Sequence, residues 1–98
     1  MPIVSMGMYI VWDEPKRLAN QAKHGLDFAE FEDGFDLDGC TVHETRASRT
    51  GRSRFKLIGL FRGRLVTAAI VSPLGSEALS IVSFRRASPS EIRLHERS

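Results

Sequence analysis

The period at which apolar residues recur changes along this chain, and each change marks a structural boundary. A short β-rich run, Met8-Tyr-Ile-Val-Trp12, predicts an opening strand, with Met8 a candidate initiation residue. Asp13 then offers an N-cap, Pro15 is tolerated in a first turn, and Gly25 supplies a left-handed terminator. A helix is therefore expected from about Glu14 to His24, with His24 suited to the negative end of the dipole. Phe28, Phe31 and Phe35 recur at i, i+3 and i+7, which predicts a second helix with one apolar face. Asp27 opens it, and Glu30 stands at capping-box spacing. From Thr41 the period becomes two. Strands are expected over Thr41 to Glu44, Arg54 to Leu60, Leu65 to Val71 and Ala78 to Phe84, with "TRASRTGRS" as an exposed loop. Tight turns fall at Arg62-Gly63 and at "SPLGS". Strands joined in sequence by short turns form a meander, so the sheet is expected to be antiparallel. Ser88, Pro89 and Glu91 open a short basic helix that runs to about Arg97. The expectation is an α+β domain spanning 1–98, with two N-terminal helices packed on an antiparallel meander and a short C-terminal helix.

Composition adds exclusions. The chain is 42% hydrophobic and 27% charged, and no apolar run approaches the roughly 18 residues of a membrane span. The N-terminal segment lacks the basic and long apolar regions of a signal peptide, so a cytoplasmic protein is expected, with no membrane partner. A chain of this size buries only about two-thirds of its unfolded surface, so the core is modest. Cys40 is the sole cysteine and reads as a small packed or half-exposed side chain.

Charge changes the picture more. Net charge is +2, but the signs are segregated. Between Leu26 and Glu44 stand seven acids and no Lys or Arg; between Thr45 and Ser76 stand seven bases and no acid. Six of those bases are Arg, whose planar fork matches phosphate oxygens. The basic block suggests a polyanion. The acidic block suggests either a counterweight or a docking face for a basic partner.

Several constellations can carry chemistry, and each has a plainer reading. Lys16, Asn20, Lys23 and His24 share one face of the first helix, opposite Leu18 and Ala22, and form either a solvated stripe or one wall of a phosphate site. Trp12 is either a core anchor or a platform for base stacking. Arg46, Arg49, Arg52 and Arg54 mark a wet loop or a set of phosphate contacts. Arg85 and Arg86 point to opposite faces of a strand, so one can stabilise a phosphorane-like transition state while the other covers the back. His24, His43 and His95 are the candidate acids and bases. Metal-ligand spacing, a phosphate-binding glycine loop and a nucleophile elbow are all missing, so an enzyme of this sequence is expected to need no cofactor. Transesterification of RNA fits, because the 2′-OH nucleophile belongs to the substrate.

The order W-D-E-x-K-R-x-x-N-x-x-K-H-G-x-x-F from Trp12, followed by Arg54-Phe55, Ile58-Gly59, Gly63 to Leu65 and I-V-S-x-R-R-A-x-x-x-E from Ile81 to Glu91, resembles the BrnT family of bacterial type II toxins. The resemblance spans roughly residues 8 to 95. It implies a compact RelE-like ribonuclease that acts on RNA without metal and inhibits translation. It also implies neutralisation by a BrnA-type antitoxin, with operator DNA bound only through the antitoxin complex. Carried onto this chain, it makes His24, Arg54, Arg85 and Arg86 catalytic candidates and Trp12, Lys16 and Lys23 substrate-binding candidates, to which the loop adds Arg46, Arg49 and Arg52. Three positions depart from the family pattern: Arg52 stands where a Glu is usual, Ser80 where an Arg is usual, and His95 where a Tyr is usual. Those departures imply a shifted acid/base assignment, with Glu44 or His95 substituting, or a weak or inactive relative. In the second case the chain acts as a nucleic-acid-binding or antitoxin-binding module.

Overall fold

The computed structural model describes residues 9–97. Its elements are strand β1 (Tyr9–Val11), helix α1 (Glu14–His24), a 3₁₀ turn (Phe28–Glu30) running into the one-turn helix α2 (Phe31–Gly34), strands β2 (Thr41–Thr45), β3 (Arg54–Phe61), β4 (Leu65–Leu74) and β5 (Ala78–Arg86), and helix α3 (Pro89–Arg97). The expected element types recur in the expected order, so α+β is correct. Met8, in the expected opening strand, lies outside the described residues.

Two details differ. The strands from β2 to β5 form the antiparallel meander, but β1 pairs parallel with β5, so the five-stranded sheet is mixed, in the order β1-β5-β4-β3-β2. Turn spacing reveals only pairings between neighbours in sequence; the register Tyr9↔Ala78 is a long-range contact. The second helix is also shorter than expected. Asp27 caps it by accepting from Ala29 N at 3.0 Å, but the Glu30 carboxylate does not close a capping box. It accepts from Arg62 Nη2 at 2.7 Å instead.

That contact helps hold the β3–β4 turn, where Arg62 (φ 53°) and Gly63 (φ 70°) both occupy the left-handed region of a type I′ hairpin. The three phenylalanines of the predicted apolar face are buried in one cluster with Phe84, whose ring Phe31, Phe35 and, from β3, Phe61 approach edge-on at 5.3, 6.4 and 5.2 Å between centroids. Strand alternation puts Leu57, Ala69, Val71, Ile81 and Phe84 on this face. Ile58 and Ala68 face the other way and pack with Ala87 and Ile92 beneath α3.

Helix α1 stands at the edge of β5, beyond the end of β1. One residue of its polar stripe, Asn20, is turned inward there, while Lys16 and Lys23 stay exposed. Asn20 is 8% exposed, whereas Leu18, assigned to the opposite face, is 53% exposed. The Asn20 amide donates to Phe84 O at 2.8 Å and to Leu26 O at 3.0 Å, while Phe84 N donates to Asn20 Oδ1 at 3.1 Å. One side-chain amide thus pairs with the strand edge as another peptide group would. This corrects the reading of Asn20 as a donor to phosphate, since its hydrogen bonds are consumed internally. Replacing Asn20 by Ala leaves buried backbone groups of Phe84 and Leu26 without partners, and should lower unfolding free energy by about 3 kcal/mol in a urea titration. A change below about 0.5 kcal/mol would mean the edge pairing contributes little.

A basic groove between helix, loop and sheet

The groove begins on the α3-bearing face of the sheet, beyond the part that α3 covers. Arg54 alternates with the buried-side Phe55, and Ser72 pairs in register with Ser80, so all three belong to the same open face. At Ile70/Val71 a β-bulge interrupts the β4–β5 register: Ile70 pairs with Ser83 and Val71 with Ile81, which leaves Val82 as the extra residue. The bulge brings Val82 and Ser83 to the surface beside α1. The outer wall is the loop after β2. It is less slack than its composition suggests, because Ser48 Oγ accepts from Arg52 N at 3.0 Å, Ser48 N donates to Arg52 O, and Ser72 Oγ donates to Ser53 O at 2.7 Å.

Two adjoining depressions result. The larger, about 410 Å³, is lined by Lys16, Arg49, Arg52 and Arg54 with hydroxyls from Ser48, Thr50, Ser72 and Ser80, and no carboxylate among the described residues borders it. The smaller, about 300 Å³, holds Lys16, Lys23, His24, Val82 and Ser83. Lys16 and Val82 border both. Burial, together with the positive charges of Lys23 and Arg85, pushes the His24 pKa below its usual value. That shift favours the neutral imidazole, the form able to accept a proton.

The structure thus gathers Lys16, Lys23, His24, Arg49, Arg52 and Arg54. It separates Arg85 from Arg86. Arg85, on the face that carries α3, is close enough to influence His24. Its guanidinium donates to both oxygens of Glu91, at 2.7 and 2.8 Å. Arg86 pairs with Thr67 on the opposite face and is exposed. Arg46 is exposed and does not line the groove. Trp12 is not a core anchor: it is 37% exposed and donates through Nε1 to Glu14 at 3.1 Å. Glu14 and Asp27 also both bind Arg17, which fixes the start of α1. His95 and His43 meet elsewhere, through the Thr41 hydroxyl at 3.0 and 2.9 Å, and Glu44 is exposed on β2. Cys40 packs half-buried against the core, and burial, with Asp36 nearby, raises its thiol to about 11.

Sequence reasoning missed how much rests on Glu91. It closes the predicted capping box with Ser88, and the same carboxylate, 6% exposed, also holds Arg85 and, at 2.6 Å, Lys56. The motif contained Glu91, but only the fold shows that β3, β5 and α3 converge on it.

A family model described as the ribonuclease toxin BrnT of a type II toxin-antitoxin system matches residues 12–91. The chain belongs to the BrnT family. The 1.1 Å crystal structure of the Brucella abortus ribonuclease toxin BrnT is similar at 51% identity and a TM-score of 0.69, over 83% of this chain and 97% of that one. No curated protein matches this chain. Family membership makes this a toxin of a type II system, and it implies an antitoxin partner. No helix among the described residues is long and apolar enough to cross a membrane.

Arg85 and Lys56 hold the Glu91 carboxyl far below the usual carboxylate range, with Ser88 N adding to the effect. A depressed folded pKa gives stability that is present above the unfolded value and is lost as pH falls toward the folded one. Glu91→Gln leaves two cations without their shared anion and should cost about 3 kcal/mol at pH 7. Wild-type and variant stabilities should converge as pH drops below about 4 in paired thermal melts. A gap independent of pH would assign the loss to packing instead.

Proposed function

We propose that this BrnT-family chain is an endoribonuclease toxin that cleaves RNA by attack of the substrate's own 2′-OH, inhibits translation, and is silenced by a BrnA-type antitoxin. The observation that carries the reading is a groove holding an imidazole, two lysines, the loop arginines Arg49 and Arg52 and Arg54 of β3, with no carboxylate among the described residues on its walls. That lining suits a phosphodiester and offers a hard divalent cation no oxygen anion, so the chemistry runs without metal. The compact helix-and-sheet arrangement serves as a RelE-like scaffold, and operator DNA is reached only through the antitoxin complex.

In this mechanism Lys16 and Lys23 neutralise the scissile phosphate, and His24 takes the proton from the 2′-OH as it attacks phosphorus. The P–O5′ bond breaks as the P–O2′ bond forms, the departing 5′-oxygen takes a proton from water, and a 2′,3′-cyclic phosphate remains. Arg85, aimed by Glu91, stabilises the charge that develops on the phosphorane oxygens. Arg54 holds the substrate across the groove, and Arg49 and Arg52 draw the strand in. Arg46, Arg86 and Trp12 contact RNA only beyond the groove.

Incubation with total RNA in excess EDTA should give products ending in 2′,3′-cyclic phosphate. Arg85→Ala should slow cleavage by about 10²-fold or more while changing RNA binding far less. Arg85→Lys, which keeps a cation for Glu91, should also be slow; Arg86→Ala should cleave nearly as wild type. Because burial and the charges of Lys23 and Arg85 lower the His24 pKa, the rate should hold at neutral pH and decline as the solution turns acid. His24→Gln should remove this limb. The larger depression also contains both of the groove's departures from the family pattern, Arg52 and Ser80. This favours a second reading, a relative that binds RNA or antitoxin without cleaving, and intact RNA in every lane would establish it.

A further inference from the structure

The two depressions differ in what they can do. The smaller contains the imidazole; the larger has the denser positive charge and no group that titrates near neutrality. Proton transfer belongs to the first. The second has the makings of a holding site.

Arg54 is its central feature. The Nε of this side chain is buried and makes no hydrogen bond. A buried guanidinium N–H without an acceptor is uncommon, because desolvation is not compensated. Lys16, Arg49 and Arg52 beside it only donate, and none of the hydroxyls of Ser48, Thr50, Ser72 and Ser80 that line the depression bonds to it. Among so many cations, the acceptor that suits this N–H best is an anion. The loop that carries Arg52 is already fixed by Ser48 and Ser72, so little ordering remains to be done on binding. Lys16, shared by both depressions, stands between Arg54 and His24.

Building on the ribonuclease reading, we infer that the larger depression is a separate subsite for the phosphate of the adjacent nucleotide, with Arg54 as its anchor and Lys16 bridging to the phosphate that His24 serves. The ligand class is a ribonucleotide segment with two consecutive phosphates. Arg54 is then a residue of substrate register, fixing which bond reaches His24, and the planar guanidinium fork suits that task better than an ammonium group.

The test uses ligands with no scissile bond, so it reads the subsite whether or not the protein cleaves RNA. Adenosine 3′,5′-bisphosphate, adenosine 3′-monophosphate, adenosine 5′-monophosphate and inorganic phosphate are titrated calorimetrically into the intact chain. The bisphosphate should bind about ten-fold or more tightly than either monophosphate, and Arg54→Gln should reduce that advantage to within about two-fold. Lys16→Gln, on an exposed helix face and not expected to disturb folding, should shrink it as well. Equal affinity for bisphosphate and monophosphates would overturn the proposal, as would an advantage that survives both substitutions. Inorganic phosphate binding as tightly as the bisphosphate would also overturn it, by showing a free-anion site. A bisphosphate advantage beside intact RNA would keep the subsite and remove the ribonuclease reading; cleavage without the advantage would do the reverse.

Discussion

The pairing of the Asn20 amide with the Phe84 peptide is the constraint on which the groove depends. Strand β1 covers the edge of β5 only over Ala78 to Ser80, so the edge beyond it would present bare backbone groups. Asn20 satisfies both groups of Phe84 and so seats α1 where another strand would lie. A strand there would have continued the sheet and closed the groove. The helix instead presents Lys16, Lys23 and His24 along the sheet's margin, and the β-bulge at Val82 brings the strand surface up to meet them.

Charge accounts for the other half of the architecture. One buried carboxylate, Glu91, serves two cations, so the cluster beneath α3 keeps a net positive charge. Arg85 of that cluster adds to burial and the Lys23 charge in lowering the His24 pKa. The acidic block stays largely away from this region. Among the described residues, the ion pair joining the acidic and basic blocks is Glu30 with Arg62, at the far β3–β4 turn. Asp27 pairs with Arg17 of α1 rather than with the loop. The segregation seen along the chain therefore survives folding, and the groove's cations are left unneutralised.

Local signals were legible in the sequence, and pairings across the fold were not. Asp13, Gly25 and the Ser88–Glu91 box located both longer helices, because caps act within one turn. The phenylalanine spacing found the core. The same kind of reasoning failed at Asn20, where a polar residue on a polar stripe points inward because its partner, Phe84, is distant in sequence. It failed again at Glu30, which answers to Arg62 rather than to its own helix terminus. Among the candidate site residues, charge and spacing singled out those on α1 and the loop, and the fold brings all of them but Trp12 and Arg46 to one groove. The division of Arg85 from Arg86 followed from strand alternation, but which of them faced the groove side depended on the register with β4.

The groove runs against the rules that stabilise the rest of the chain. Like charges are gathered without counterions, and a buried guanidinium N–H has no acceptor, although neutralising pairs stand elsewhere on the same molecule. Such local conflict raises the energy of the empty state, and the fold tolerates it because the surrounding elements are independently fixed. Asn20 ties α1 to β5, Ser48 and Ser72 tie down the loop, and Glu91 joins β3, β5 and α3. Each tie is made by a small polar or acidic side chain near the groove, and none draws on the cations of the larger depression. Those cations are therefore held in place without being satisfied, and binding an anion relieves repulsion already present in the free protein.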